Sequence, residues 1–268
     1  MTRFKHTRDE EVFRRQVRVA LIGAGGTGSM VLSGLVRLHS AMVALGHPGV
    51  DVTVWDPDDV SDANIGRQLF YRADIGTNKA FALVNRINLC FGLEWEAEQT
   101  VFSRGSGWGD HYGVFIVCVD SRKARKETLA QIKDSYRFGN FYLIDCGNTD
   151  RSGQVLMGHN GSENMPMPYE ILPELVSDEP EEDKPSCSLA EALESQDLFV
   201  NQFIATHALQ LLWQIFRHGG SDINGYYINL VSGKVTPSKI QKAEKKRKKE
   251  SEKPMCSRGR MMANGGGR

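Results

Sequence analysis

The sequence predicts an α/β fold, a doubly wound Rossmann-like sheet that is mostly parallel and ends in an antiparallel hairpin. Three observations predict it: short apolar segments alternate with helical patterns, a glycine cluster follows the first apolar segment, and two strand-like segments lie close together near residue 230. Strands that alternate with helices form parallel sheets with helices on both faces. With 268 residues, the chain is long enough for one such domain with a sizeable core.

Each element is predicted from its own residue pattern. The apolar run VRVALI at 17–22 ends in glycine and predicts a strand, and the helical pattern that follows stops before Gly46 and Pro48. The stretch from 159 to 186 is rich in Pro, Glu, Asp and Ser and shows no periodicity. We expect strands at 17–22, 50–55, 114–119, 141–146 and 226–230, a closing strand near 235, and helices at 27–45, 80–89, 122–136 and 189–216.

The charge of the chain is unevenly distributed. The formal net charge is zero, but residues 234–268 contain 12 Lys and Arg against 3 Asp and Glu, so the rest of the chain carries a net charge of −9. Low-complexity, strongly charged segments cannot bury enough apolar surface to fold alone. We predict an N-terminal segment at 1–16, one domain at 17–235 with a flexible crossover loop at 159–188, and a basic, disordered tail at 236–268.

Several classes of protein are excluded by composition. No apolar run approaches the roughly 20 residues that cross a bilayer, and the N-terminus lacks the apolar core of a secretory signal. The five cysteines form no CxxC pair and the seven histidines form no HExxH pattern, which argues against a structural zinc site. We therefore expect a cytoplasmic protein with no membrane contact and no zinc.

The glycine cluster lies between a predicted strand and a predicted helix, the context in which such a loop binds phosphates. Glycines allow the backbone to approach an anion, and the helix N-terminus offers unpaired N–H groups to it. Asp56, at the end of the next strand, can accept hydrogen bonds from ribose hydroxyls. A glycine-rich turn without a ligand is the alternative. The loop Gly23, Gly25, Gly26, Thr27 and Gly28 therefore predicts a nucleotide site, without distinguishing ATP from NAD or FAD.

The stretch after Asp56 makes that distinction. Residues 56–70 read DPDDVSDANIGRQLF, residues 74–79 read DIGTNK, and Asp120 ends the next long strand. In this order, with the glycine loop and the later GQV at 153–155, they resemble the ThiF/MoeB family, relatives of the ubiquitin-activating enzymes. Ala63 departs from the serine of the family pattern. The resemblance covers 17–235, and the subtype it resembles is the ThiF-like protein of the PRTRC plasmid cassette.

The resemblance implies a role for each matching residue. Asp56 is expected to hold the ribose of ATP, and Asp120 to act through Mg²⁺. The alternatives are surface charges at Arg67 and Lys79, and a helix cap at Asp120. The residues expected to hold the phosphates are Asn64, Arg67, Gln68 and Lys79.

The implied activity is ATP-dependent adenylation of the C-terminal carboxylate of a small ubiquitin-like or sulfur-carrier protein, catalysed by a homodimer. Attack of a carboxylate on the α-phosphorus needs no protein nucleophile, but it does need charge stabilisation on the phosphates and a bound metal. Arg67, Lys79 and Asp120 are the residue types that supply these. An NAD- or FAD-dependent oxidoreductase and a non-catalytic nucleotide-binding scaffold are the alternatives.

Three further features are hypotheses. Cys187 occupies the place where family members carry a reactive cysteine, and it is either an acyl acceptor or an ordinary loop residue. In relatives an N-terminal arginine crosses the dimer interface, a role for which Arg14 and Arg15 are the candidates. The basic tail is either a weak electrostatic contact for nucleic acid or a solubilising segment. Cys90, Cys118 and Cys146 lie in apolar runs and are expected in the core.

Overall fold

The computed structural model describes residues 4–103, 111–134, 139–178, 190 and 196–240. Its strands are β1 (His6–Thr7), β2 (Val17–Ile22), β3 (Val50–Trp55), β4 (Glu96–Glu98), β5 (Val114–Val117), β6 (Tyr142–Asn148), β7 (Ser152–His159), β8 (Gly220–Ser221), β9 (Ile223–Asn229) and β10 (Lys234–Lys239). The α-helices of the described residues are α1 (Glu10–Phe13), α2 (Gly26–Ala44), α3 (Lys79–Phe91), α4 (Arg122–Asp134), α5 (Pro168–Ile171) and α6 (Val200–His218).

Eight strands form one sheet in the order β10-β9-β7-β6-β5-β2-β3-β4. From β4 to β6 the neighbours are parallel, whereas β7, β9 and β10 are added antiparallel. From β2 the chain runs outward to β3 and β4, and it then returns to place β5 on the other side of β2. The crevice between β2 and β5 is therefore the point where the strand order reverses, which is where α/β sheets bind ligands.

The sheet has apolar side chains on both faces, as the unbroken apolar strands predict. Val19 and Leu21 of β2 belong to the larger core, with α2, α3 and α6, whereas Ala20 and Ile22 belong to a second core with α4. Because side chains of a strand alternate between faces, one short sequence supplies both layers. The predicted doubly wound, mostly parallel fold with a C-terminal hairpin is confirmed.

The long C-terminal helix that the sequence predicts over 189–216 is interrupted in the structure, where residue 190 is helical but a turn precedes the long helix. The pattern predicts a helix from residue 189, but 196–199 are not helical and α6 begins at Val200. The Asp197 carboxylate accepts a hydrogen bond from the Phe199 N–H, and the Asp197 N–H donates to the carbonyl of Asp150. These contacts hold the chain in a turn, because a local side-chain acceptor competes with helical hydrogen bonding.

The sequence pattern also missed structure elsewhere. The edge strand β4 has only three residues, and β7 is interrupted by two glycines that weaken its apolar pattern. The stretch after β7, where no regular structure is expected, contains α5 and a short 3₁₀-helix at Pro173–Val176. Met165 and Met167 are buried beside these turns. The part of the predicted crossover loop from 179 to 188 lies outside the described residues.

The prediction of three core cysteines is wrong for Cys90. Cys146 is buried and Cys118 is partly buried, but Cys90 is exposed near the end of α3. Its neighbours Leu89 and Phe91 are also exposed. Apolar residues in succession on a helix cannot all face one core, because the helix turns about 100° per residue.

The N-terminal segment packs onto the domain through a buried cluster of polar side chains. β1 pairs antiparallel with β8, and the ring nitrogens of His6 contact the hydroxyls of Tyr142 (2.9 Å) and Ser162 (3.1 Å). Beside it, Nε2 of His159 lies 3.1 Å from the carboxylate of Asp9. Burial, and to a lesser extent the charge of His159, lowers the pKa of His6 to about 4, against an opposing effect of Asp9.

We expect this cluster to make the fold sensitive to acid. The folded-state pKa of His6 lies below its ordinary value of 6.5, so as the pH falls the unfolded chain binds the proton first. The contribution of His6 to the free energy of unfolding is therefore complete above about pH 6.5 and is lost towards pH 4, with a slope of up to about 1.4 kcal/mol per pH unit for one proton. Burial also lowers the pKa of His159, which adds an effect of the same sign.

The measurement is urea unfolding of the wild type and of His6→Gln at pH values from 4.5 to 7.5. The glutamine keeps polar atoms in the cluster but does not titrate, so its stability should depend less steeply on pH. If the free energy of unfolding changes equally with pH in the two proteins, the assignment of the titrating proton to His6 is wrong.

No helix in the part of the chain that the structure describes is long and apolar enough to span a membrane.

Candidate functional site

The glycine loop connects β2 to α2 and lies against the end of β5. Gly23 has a φ of +92°, which favours glycine, and a Cβ there would lie 2.8 Å from the carbonyl oxygen of Cys118. A Cβ at Gly28 would overlap the carbonyl oxygen of Gly23, so the first turn of α2 folds back closely onto the loop. Both glycines are thus required by close backbone approach.

The other residues of the loop face different surroundings. A Cβ at Gly26 would lie 2.5 Å from Nδ2 of Asn201, and the Thr27 hydroxyl donates to Oδ1 of Asn201 at 2.9 Å. A Cβ at Gly25, by contrast, meets no described atom within 4 Å. The loop is therefore fixed by α6 on one side and open at Gly25, next to the N-terminus of α2, where an anion is favoured.

Asp56 ties the loop to the end of β3. Its side chain is buried, Oδ2 accepts from the Ala24 N–H at 2.6 Å, and Oδ1 accepts from the Asp58 N–H at 2.9 Å. Burial raises the pKa of Asp56, an effect that these two hydrogen bonds and the nearby Lys79 oppose. Each carboxylate oxygen can accept a further hydrogen bond, so the predicted contact with ribose is compatible with this arrangement.

Lys79 is the first residue of α3, and its ammonium group lies 2.8 Å from the carboxylate of Asp58. The lysine side chain is largely buried, whereas Asp58 is 63% exposed. Asn78 caps the helix and also donates to the carbonyls of Asp56 and Asp58. The structure therefore brings Lys79 to the site and pairs it with an acid that the sequence analysis did not single out.

The segment between β3 and α3 carries the remaining predicted phosphate ligands. Oδ1 of Asn64 accepts from the Ser61 N–H at 2.9 Å, which orients the amide. Nε of Arg67 and Oε1 of Gln68 are both buried, and neither has a hydrogen-bond partner among the described residues. Unpaired buried polar atoms are rare and costly in native proteins. Both atoms are therefore available to a further polar group.

Asp120 follows β5 on the same edge of the sheet. It is exposed, and its charge counteracts the lowering of the Arg67 pKa by burial, so the two side chains are electrostatic neighbours. The alternative role as a helix cap is filled by Ser121, whose hydroxyl oxygen accepts from the Ala124 N–H at 3.2 Å. Among the described residues, the cap contact of α4 is made by Ser121.

Beneath Asp120, a buried ion pair that the sequence analysis did not predict supports the edge of the sheet. Arg125 of α4 lies 2.9 Å from the carboxylate of Asp145 on β6, and it also donates to the carbonyl of Val119. Burial raises the pKa of Asp145, and Arg125 opposes that effect. The pair fixes the end of β5 from which Asp120 projects.

The contacts of the described residues link the glycine loop, Asp56, Lys79, Arg67 and Asp120 near the carboxyl ends of β2, β3 and β5. Asn64 and Gln68 lie beside Arg67 in the segment between β3 and α3. The predicted site residue Cys187 lies outside the described residues. Two residues that the sequence analysis missed, Gln196 and Asn201, also reach the site: Oε1 of Gln196 accepts from Nη1 of Arg67 at 2.5 Å and from Nδ2 of Asn201 at 3.0 Å. No sequence pattern marks them, because they lie more than 120 residues further along the chain.

Within the described residues, no group of three or more His, Cys, Asp or Glu side chains could hold a metal ion. Mg²⁺ bound with a nucleotide commonly uses one or two carboxylates and the phosphates themselves. The exposed carboxylate of Asp120 beside Arg67 fits that donor set.

The fold and the site define the class: a Rossmann-like α/β protein with a glycine-rich loop and charged side chains at its switch point. The chain belongs to the ThiF family, whose model matches residues 7–256. The predicted family resemblance is confirmed. No curated protein matches the sequence.

Solved structures show the same fold at low sequence identity. A crystal structure of selenomethionine PaaA is 18% identical, with a TM-score of 0.58 over 86% of this chain and 66% of PaaA. A structure of E. coli MccB with ATP is 15% identical, with a TM-score of 0.54 over 84% of this chain and 64% of MccB. A structure of E. coli MccB with MccA-N7isoASN is 14% identical, with a TM-score of 0.56 over 87% and 67%. The chain spans about two thirds of the length of these proteins.

Proposed function

We propose that the chain adenylates the C-terminal carboxylate of a small ubiquitin-like or sulfur-carrier protein with ATP. The carboxylate oxygen attacks the α-phosphorus, a bond to that oxygen forms, the bond between the α-phosphorus and its bridging oxygen breaks, and pyrophosphate leaves. The observation that carries the proposal is the buried Nε of Arg67, near Asp120, which has no hydrogen-bond partner among the described residues. Membership of the ThiF family supports it.

The residues of this chain act by placing charge around the phosphates. The open N–H groups at the N-terminus of α2 and the cations of Arg67 and Lys79 stabilise the negative charge that builds on the leaving pyrophosphate. Asp56 holds the loop in place and accepts from the ribose. Asp120 would hold Mg²⁺, which neutralises phosphate charge when it is bound.

We expect the wild type to gain thermal stability with ATP and Mg²⁺, and not with NAD(H). Only ligands that bind the folded state raise stability in this way. Arg67→Ala should weaken ATP binding by about 30- to 150-fold, the value of roughly 2–3 kcal/mol for a charged hydrogen-bonding partner. The measurement is a thermal-shift titration, with Arg72→Ala, an exposed arginine of the following turn, as the matched control.

Other outcomes would favour the other functions. If only NAD(H) stabilises the protein, and Arg67→Ala does not change that effect, the chain would be an oxidoreductase. Binding of ATP without ATP–pyrophosphate exchange in the presence of any glycine-terminated carrier protein would indicate a nucleotide-binding scaffold.

We also propose that Cys187 then accepts the acyl group as a thioester. Its thiolate would attack the carbonyl carbon of the adenylate and release AMP. A thiol-labile adduct with the carrier that persists in Cys187→Ala would remove this assignment while leaving adenylation in place.

The remaining sequence predictions stay proposals. They are the homodimer, an arginine crossing its interface, the domain boundaries, contact of the tail with nucleic acid, the cytoplasmic location and the PRTRC subtype. Arg14 and Arg15 are both exposed at the end of α1, as a contact with a partner requires. Sedimentation equilibrium would test the dimer, and a monomeric mass at micromolar concentration would exclude it.

A further inference from the structure

The side chain of Gln196 places a neutral oxygen between two donors of the candidate site. Oε1 accepts from Nη1 of Arg67 at 2.5 Å and from Nδ2 of Asn201 at 3.0 Å. Gln196 lies four residues before α6, whereas Arg67 lies between β3 and α3. The contact therefore joins two distant parts of the chain at the phosphate-binding edge.

The buried side chain of Asn201 holds Gln196 in a defined position by a hydrogen bond. Its side chain is only 3% exposed, and its Oδ1 accepts from the Thr27 hydroxyl at 2.9 Å and from Nδ2 of Asn148 at 3.4 Å. With the amide oxygen so occupied, the Nδ2 group faces Gly26 and Gln196. The donor that Asn201 presents is thus held in place beside the first turn of α2.

An oxygen in this position has the surroundings that an anion prefers. A guanidinium, a fixed amide N–H and the N-terminus of a 19-residue helix all favour negative charge. A carboxamide oxygen carries no net charge, so these donors interact with it less strongly than they would with an anion. In addition, Nε of Arg67 is buried without a partner among the described residues, which leaves one guanidinium donor for a larger, charged acceptor.

We propose that the Gln196 oxygen occupies a subsite for a phosphate oxygen, and that binding of the nucleotide displaces it. This inference rests on the proposed function for the identity of the nucleotide, but the subsite itself requires only a phosphate-type anion. Gln196 is then an internal competitor of the nucleotide. The alternative is that Gln196 positions Arg67 for the ligand, and the two roles predict effects of opposite sign when the side chain is removed.

The test measures binding of inorganic pyrophosphate by isothermal titration calorimetry, with no carrier protein present. Gln196→Ala should bind pyrophosphate about 2- to 10-fold more tightly than the wild type, the equivalent of one ordinary hydrogen bond that no longer competes. Gln196→Glu should bind more than 10-fold less tightly, because a carboxylate pairs with Arg67 and repels the anion. Gln202→Ala, an exposed glutamine on α6, is the matched control and should bind as the wild type does.

Three results would overturn the inference: weaker binding by Gln196→Ala than by the wild type, wild-type binding by Gln196→Glu, or no pyrophosphate binding by either the wild type or Gln196→Ala. Binding that appears only in Gln196→Ala would support it. The experiments distinguish failure of this inference from failure of the proposed function. If Gln196→Ala binds pyrophosphate more tightly but the wild type shows no ATP–pyrophosphate exchange, the inference stands and adenylation is excluded.

Discussion

Replacing Asp120 with alanine is expected to abolish adenylation while leaving the fold intact. The carboxylate is exposed beside Arg67, and on the proposed function it holds the Mg²⁺ that neutralises the phosphates of ATP. Loss of several kcal/mol of charge stabilisation corresponds to a decrease in rate of about 10³-fold or more. The measurement is ATP–pyrophosphate exchange with a glycine-terminated carrier.

The structure gives a reason why this substitution should spare the fold. Among the described residues, Ser121 accepts the capping hydrogen bond of α4, and the buried Arg125–Asp145 pair supports the edge of the sheet independently. The midpoint of thermal unfolding should therefore stay close to that of the wild type. Asp178→Ala, which removes an exposed partner of Lys126, is the matched control and should retain exchange, because surface ion pairs contribute little.

Exchange at the wild-type rate in Asp120→Ala would show that the metal assignment is wrong. A large fall in the unfolding temperature would show instead that Asp120 has a structural role that its exposed position does not indicate.

Replacing Gly28 with alanine is expected to destabilise the domain and to remove nucleotide binding. In an ordinary helical position this change would stabilise the helix by up to about 1 kcal/mol. Here the added Cβ would overlap the carbonyl oxygen of Gly23, so the first turn of α2 must move away from the loop. We expect the overlap to outweigh the helical preference and to cost about 3 kcal/mol or more.

Gly25→Ala provides a control within the same loop. Its φ is −74° and a Cβ there meets no described atom within 4 Å, so urea unfolding should give the stability of the wild type. The same open space adjoins the helix N-terminus, where we propose that the phosphates lie. Gly25→Ala should therefore weaken ATP binding in calorimetry without weakening the fold.

Equal stability of Gly28→Ala and the wild type would mean that the loop adapts, and that close packing is not the reason for this glycine. Unchanged ATP binding in Gly25→Ala would place the phosphates elsewhere.

Much of the fold could be predicted from local patterns. The strands β2, β3 and β5 are short apolar runs, and α2 begins within the glycine cluster, so local patterns alone place these elements within a residue or two. The pattern failed where tertiary contacts replaced local preference. The pattern predicts one helix over 189–216, whereas 196–199 are not helical and Asp197 holds the chain in a turn before α6.

For the candidate site, the sequence yields predictions only. Asp56, Arg67 and Lys79 are predicted because they fall in one short stretch that resembles a family pattern. Asp58 has no predicted role in the sequence analysis, and only the structure shows it 2.8 Å from Lys79. Gln196 and Asn201 could not have been identified, because neither belongs to a motif and their partners are distant in sequence.

The sequence by itself determined the class of fold, the position of the glycine loop and the identity of the charged residues that follow it, because these depend on local periodicity and short spacings. Only the tertiary structure decided which of those residues meet. Strand order brings the ends of β2, β3 and β5 to one edge, and the return of the chain through α6 sets Asn201 against Thr27 and Gln196 against Arg67. Contacts between residues far apart in the chain arise from packing of the sheet and helices, which a one-dimensional pattern does not contain.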